Sequence, residues 1–281
     1  MVEKKHMSFL EISIPTTQEK QEVLIALLSE ESYDSFVETE NTTVAYIEKA
    51  FFDDATLVDI LEKLSLSTSF KVQELEDKNW NEEWEKNYDP VFIDEKIHIR
   101  ASFHPCKGYP YEILITPKMS FGTGHHATTS LVLSAQLTLD HKGKRVLDAG
   151  CGTAILSIMA EKRGASKVVA YDCDEWAYKN SLENITLNTC TKTSIVQTDN
   201  VEKLLDDEPF DIILANINKN VLLCEIGSFF KRLSKGGILI MSGFFINDIQ
   251  DIRSEAEDHG FKFLKTTDNS RWATIQFTKL A

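Results

Sequence analysis

The chain of 281 residues is 42% hydrophobic and 26% charged and has a formal net charge of −14, the balance of an ordinary globular protein long enough for one substantial core and a smaller domain. No apolar run approaches the length of a membrane span, and Met1-Val2-Glu3-Lys4-Lys5-His6 opens no stretch of signal-peptide type, so a membrane role is set aside and a cytoplasmic protein is expected. The five cysteines (Cys106, Cys151, Cys173, Cys190, Cys224) are odd in number and form no Cys-x-x-Cys pair, so each is expected as a small buried apolar side chain, with no zinc site and no disulfide framework.

Residues 1 to 89 hold 8 Lys and Arg against 21 Asp and Glu, a net of −13, whereas residues 90 to 281 hold 22 against 23. An acidic leading third repels nucleic-acid phosphates and attracts a basic partner, chiefly by raising encounter rates. It reads equally as a solubility feature.

Phe9 to Ile14 alternates like a strand, and Lys20 to Leu28 carries Val23, Leu24, Leu27 and Leu28 at helical spacing. Strands around Ser35 to Glu38 and Thr43 to Glu48 flank the turn Thr39-Glu40-Asn41-Thr42. A helix opened by acidic residues then runs from Asp54 to Leu64, and a strand from Phe70 to Leu75. The order βαββαβ predicts a small ferredoxin-like α+β domain over residues 1–78, with two helices on one sheet face. Residues 79–90 read as a linker helix with Trp80 and Trp84 on one face.

The remainder, 91–281, opens on a hairpin (Val91 to Ile93, Lys96 to Arg100) and a strand at Ile113 to Ile115. From Arg145 strands near 145–148, 167–172, 193–197, 211–215 and 237–242 alternate with helices, which demands parallel strands joined by right-handed crossovers. After a helix near Asn247 to Glu257, only Thr266 to Ser270 separate strands at Phe261 to Lys265 and Trp272 to Phe277, so that last pair must be antiparallel.

Val146-Leu147-Asp148-Ala149-Gly150-Cys151-Gly152 is a strand running through a carboxylate into two close glycines and then a helix. Glycine suits a backbone that turns with positive φ or approaches a ligand, and the helix offers unpaired N–H groups. Asp172 closes the next strand twenty-two positions after Gly150, the distance at which a carboxylate meets ribose hydroxyls in a βαβ unit. The glycines alone are also explained by crowding between strand and helix. Ile155 stands where a nicotinamide fingerprint wants a third glycine, which disfavours a dehydrogenase, and Asp148 would repel a pyrophosphate.

With a parallel sheet of about seven strands and one reversed strand, the second part resembles the Rossmann-like methyltransferases. A narrower resemblance rests on Phe121-Gly122-Thr123-Gly124-His125-His126-Ala127-Thr128-Thr129, Leu214-Ala215-Asn216-Ile217, Asp148-Ala149-Gly150-Cys151-Gly152, the double-tryptophan linker and the small leading domain. Together these look like the bacterial methyltransferases of large-subunit ribosomal protein eleven, over essentially the whole chain. The resemblance implies S-adenosylmethionine as cofactor and an N-methyltransferase acting on lysine ε-amines and the N-terminal α-amine of a basic ribosomal protein. It implies a leading domain that recognises that protein and a linker that lets it swing. A monomer with no metal, no direct nucleic-acid contact and no membrane contact is expected.

Carried over by motif, Thr129, Gly150, Asp172 and Asn216 are the implied cofactor contacts. Thr129 suits the methionine carboxylate, Gly150 bare backbone against the cofactor, and Asp172 both ribose hydroxyls. Asn216 suits the incoming amine or the methionine ammonium, and Asp199 the adenine amine or only solvent. A neutral amine attacks a sulfonium methyl in line, so no general base is assigned, and His125 and His126 read as lid elements or as proton acceptors. The chain departs from the family where Ala127 replaces a common proline, Ala154 a glycine and Asn218 a leucine; Asn218 is expected at the pocket lip, the alanines to change little. A methyltransferase of RNA or of a small molecule is the alternative. The absence of an Asn-Pro-Pro-Tyr type signature at 216–219 disfavours adenine and glutamine-amide acceptors.

Overall fold

In β1 (Phe9–Pro15) Leu10, Ile12 and Ile14 face inward while Glu11 and Ser13 stay half-exposed, the alternation that one buried sheet face imposes. A computed structural model of the chain describes residues 9–29, 31–39, 41–75, 88–116, 118, 120–206 and 208–280. The chain divides into two units, residues 1–87 and 88–281.

The first unit follows β1 with α1 (Gln18–Ser29), β2 (Tyr33–Thr39), β3 (Thr42–Glu48), α2 (Asp54–Lys63) and β4 (Lys71–Leu75). Its strands form one antiparallel sheet in the order β2-β3-β1-β4. Leu24 and Leu28 of α1 and Leu57, Ile60 and Leu61 of α2 close on Leu10, Ile12, Ile14, Ala45 and Ile47, so both helices cover the same face. Asp53 caps α2, its carboxylate accepting from Ala55 N at 3.4 Å and Thr56 N at 3.2 Å. The linker helix expected around Trp80 and Trp84 lies outside the described residues.

The second unit begins with β5 (Val91–Ile93), β6 (Ile97–Arg100) and β7 (Tyr111–Leu114), a three-stranded sheet in which β6 and β7 run parallel. Then follow α3 (Ala127–Leu137), β8 (Arg145–Ala149), α4 (Ile155–Lys162), β9 (Lys167–Asp172), α5 (Glu175–Leu187), β10 (Thr193–Gln197), β11 (Phe210–Asn216), α6 (Lys219–Arg232), β12 (Leu233–Phe245), α7 (Ile249–Asp258), β13 (Phe261–Asn269) and β14 (Trp272–Lys279). The seven-stranded sheet has the order β10-β9-β8-β11-β12-β14-β13. Pairs from β10 to β12 are parallel, while β14 runs antiparallel to both β12 and β13, the single reversed strand expected. Both faces of the central strands are buried, as the apolar runs of β8 and β11 require.

Two expectations change. The gap between the last strands is the two-residue turn Ser270-Arg271, not Thr266 to Ser270, because Thr266, Thr267, Asp268 and Asn269 stay paired with β14. Polar residues continue a strand wherever a partner takes their backbone groups, and this stretch of β13 is exposed at the sheet edge. The cysteines are not uniformly buried: Cys151 is buried and Cys190 half-buried, but Cys106, Cys173 and Cys224 are exposed. Cys173 lies in the turn after β9, and Cys224 lies off the α6 stripe of Leu222, Ile226 and Phe229 that meets the core. Among the described residues no helix is long and apolar enough to cross a membrane.

Candidate active site

Strand order reverses direction between β8 and β11, which place Ala149 beside Ala215, so the crevice of this open sheet lies where Gly150 and Asn216 leave the carboxyl edge. Three segments converge there: the turn after β8, the end of β11, and the loop 120–126 that leads into α3.

Gly150 has φ +64°, and a Cβ on it would sit 2.2 Å from Ile217 Cγ2; Gly152 has φ +53°, and its Cβ would sit 2.3 Å from the Phe121 carbonyl oxygen. Both glycines are therefore demanded by protein neighbours. Ala154, at φ +63°, is a buried alanine in the left-handed region at the start of α4. That conformation costs about 1–2 kcal/mol, against which its buried methyl contributes about 0.8 kcal/mol, so the departure from glycine strains the backbone at a net cost of about 1 kcal/mol or less.

Asp172 Oδ2 accepts from Gly152 N at 2.9 Å and Oδ1 from Asp174 N at 3.0 Å, which aims the carboxylate across the mouth of the glycine turn. Thr129, fully buried in the first turn of α3, accepts from Asn216 Nδ2 at 3.4 Å. Asn216 Oδ1 is buried with no hydrogen-bond partner, a position that a ligand ammonium or amine would satisfy. The loop is stitched to the turn, since Thr153 donates its N–H to Phe121 O at 2.9 Å and its hydroxyl to Gly122 O at 2.6 Å. Thr129, Asn216 and the turn thus share one crevice, with Asp172 over the turn's far side. Asp199 is not part of this framework; it is exposed and paired with Lys203 at 2.6 Å.

Asp148, on β8 beneath the turn, is fully buried; its Oδ2 accepts from Ser157 N at 3.0 Å and from Ser157 Oγ at 2.5 Å, and Oδ1 has no partner. Burial, reinforced by the charge of Asp172, pushes its carboxyl up to about 7 against the two Ser157 donations. The folded protein thus holds a proton that the unfolded chain releases above about pH 4, so stability falls as pH rises from there to about 7 and levels off beyond. Asp148→Asn in the cofactor-free protein is expected to gain melting temperature relative to the parent across that window. An equal separation at pH 4 and pH 7 in thermal scans overturns the assignment.

His126 is a helix cap: its Nδ1 accepts from Thr128 N at 3.4 Å, and burial, followed by the charge of Arg271, holds its imidazole below the usual histidine value. His126 also packs against Trp272 with ring centroids 4.6 Å apart. His125 is exposed beside Tyr88, whose hydroxyl donates to Thr123 O at 3.0 Å. Ala127 occupies the first helical position of α3, where proline is also favoured, and Asn218 caps α6 by accepting from Val221 N at 3.2 Å. Tyr88 and the buried asparagines of α5 and its C-cap belong to no motif in the sequence; only the four-residue spacing of Asn180, Asn184 and Asn188 signals the latter.

A family model described as ribosomal protein L11 methyltransferase (PrmA) matches residues 8–280. The chain is 42% identical over 281 residues to a protein of that description from Bacteroides thetaiotaomicron, covering 98% of this chain and 99% of that one. A relative of the same description from Chlorobaculum parvum is 30% identical over 277 residues, covering 95% and 96%. A crystal structure of a ribosomal protein L11 methylase from Lactobacillus delbrueckii subsp. bulgaricus superposes with a TM-score of 0.62 at 25% identity, over 69% of this chain and all of that one.

Proposed function

The chain belongs to the ribosomal protein L11 methyltransferase family, and from that membership we propose that it methylates lysine ε-amines and the N-terminal α-amine of ribosomal protein L11 with S-adenosylmethionine. The observation that carries the reading is the convergence of Asp172, the Gly150 turn, Thr129 and Asn216 at one switch point, with an unsatisfied buried oxygen on Asn216.

When bound, the cofactor supplies a methyl on a positively charged sulfur. Asp172, which holds Gly152 N, would also accept from both ribose hydroxyls, and the Thr129 hydroxyl would donate to the methionine carboxylate. Asn216 Oδ1, buried without a partner, would accept from the cofactor's ammonium or from the incoming amine and so would position the acceptor. Deprotonating a lysine of pKa about 10.4 at pH of about 7.5 costs about 4 kcal/mol, which desolvation in the crevice and the adjacent positive sulfur lower. His126 is held by its Nδ1 cap to Thr128, and no proton transfer is assigned to it.

The first unit, with sheet order β2-β3-β1-β4 and two helices on one face, supports the reading of a ferredoxin-like domain over 1–78. Its acidity supports a role in docking the basic ribosomal protein, with 79–90 as linker and 91–281 as the transferase domain of a monomeric cytoplasmic enzyme. An RNA or small-molecule acceptor leaves that acidic unit without a task. Labelled cofactor, purified ribosomal protein L11 and ribosomal RNA incubated with the enzyme test the proposal. Label is expected in L11 and is expected to vanish when its amines are acetylated; label in the RNA overturns it.

A further inference from the structure

α5 and its C-cap residue lay Asn180, Asn184 and Asn188 along one buried face at four-residue spacing. They meet the backbone at the end of β7. Asn188 Oδ1 accepts from Leu114 N at 3.0 Å and its Nδ2 donates to Leu114 O at 2.6 Å. Asn184 Oδ1 accepts from Thr116 N at 2.8 Å, and Asn180 Nδ2 donates to Thr116 O at 3.3 Å. Ile115 N, between them, donates instead to Arg100 O at 2.9 Å. The carboxamides therefore do for one edge of this segment what a neighbouring strand would do.

Asn184 does one thing more. Its Nδ2 donates to Thr153 O at 3.0 Å, inside the glycine turn. Thr153 in turn holds Phe121 O and Gly122 O, so Thr116, Asn184, Thr153 and the glycine loop are tied through hydrogen bonds. The Thr153 carbonyl belongs to the peptide that precedes Ala154, the left-handed alanine. A strained backbone of that kind persists only where its surroundings over-determine it, and rotation of this peptide is what would release the strain.

We propose that Asn184 is a positioning residue for the cofactor, holding the Thr153–Ala154 peptide in its strained orientation and tying the glycine turn to the segment that leads into the glycine loop. This rests on the crevice being the S-adenosylmethionine site. Asn188 is the natural control, since its carboxamide makes two bonds to Leu114 and none to the turn.

The test measures S-adenosylmethionine affinity by calorimetry and melting temperature for the full-length parent, Asn184→Ala and Asn188→Ala. Both variants are expected to melt earlier, but only Asn184→Ala is expected to weaken binding, by about tenfold. A purely structural role would lower affinity equally in both variants or in neither, and either pattern overturns the inference. Should Asn184→Ala fail to fold, Asn184→Ser, too short to span Thr116 and Thr153, takes its place with the same expected loss. A parent protein that binds no cofactor sinks the site assignment as well; a parent that binds, with Asn184→Ala unaffected, sinks only this inference.

Discussion

Replacing Asp172 by alanine is expected to weaken S-adenosylmethionine binding at least about a hundredfold, about 3 kcal/mol or more, in calorimetry. Two losses add. A carboxylate accepting from two ribose hydroxyls makes charge-assisted hydrogen bonds, each worth about 1.5–3 kcal/mol. The same carboxylate anchors Gly152 N at 2.9 Å and Asp174 N at 3.0 Å, so its removal also loosens the turn and the start of α5. Asp172→Asn keeps one acceptor oxygen and loses the charge, so a smaller loss of about tenfold is expected. Unchanged affinity in Asp172→Ala would remove the central claim about the site.

A chain beginning at Asn79 is expected to bind the cofactor like the parent, yet to methylate ribosomal protein L11 about a hundredfold more slowly in kcat/KM, or worse. The cofactor prediction follows from packing, because among the described residues the core of the first unit, built on Ile12, Leu24 and Leu61, shares no residue with the two cores around the large sheet. The methylation prediction follows from docking: a tethered recognition unit turns delivery of each amine into an effectively intramolecular event. The excess of acid over base in residues 1 to 89 adds a signature, because the parent's KM for L11 should rise with salt while the shortened chain's should not. Full activity of the shortened chain toward L11 would reject the docking role.

Much of the fold was legible because its strongest signals are periodic. The apolar runs at Val146-Leu147 and Val168-Val169-Ala170 leave no polar face, so they read as central parallel strands, and so they fold. The end of β13 was not legible, because Thr266, Thr267, Asp268 and Asn269 carry no hydrophobic pattern and are held in the ladder by β14 alone. At the site, the motif residues Thr129, Gly150, Asp172 and Asn216 stood out by resemblance. Their wiring did not. Nothing in the order of residues says that Asp148 keeps an unpaired oxygen, or that Ala154 takes a left-handed backbone. The asparagines of α5 and its C-cap are weak helix formers that would ordinarily be placed in solvent, and their bonds to Leu114, Thr116 and Thr153 explain their burial.

Gly150 and Ile217 carry a consequence for how this site can diverge. The space beside the bare α-carbon of one is filled by the branched side chain of the other, so position 150 cannot enlarge while Ile217 stands. A lineage that acquires a larger residue at 150 must first whittle down 217, and even then inherits a backbone angle few side chains tolerate. The turn after β8 and the residue that follows β11 are keyed to each other by shape, so growth on the glycine side has to wait for shrinkage on the other.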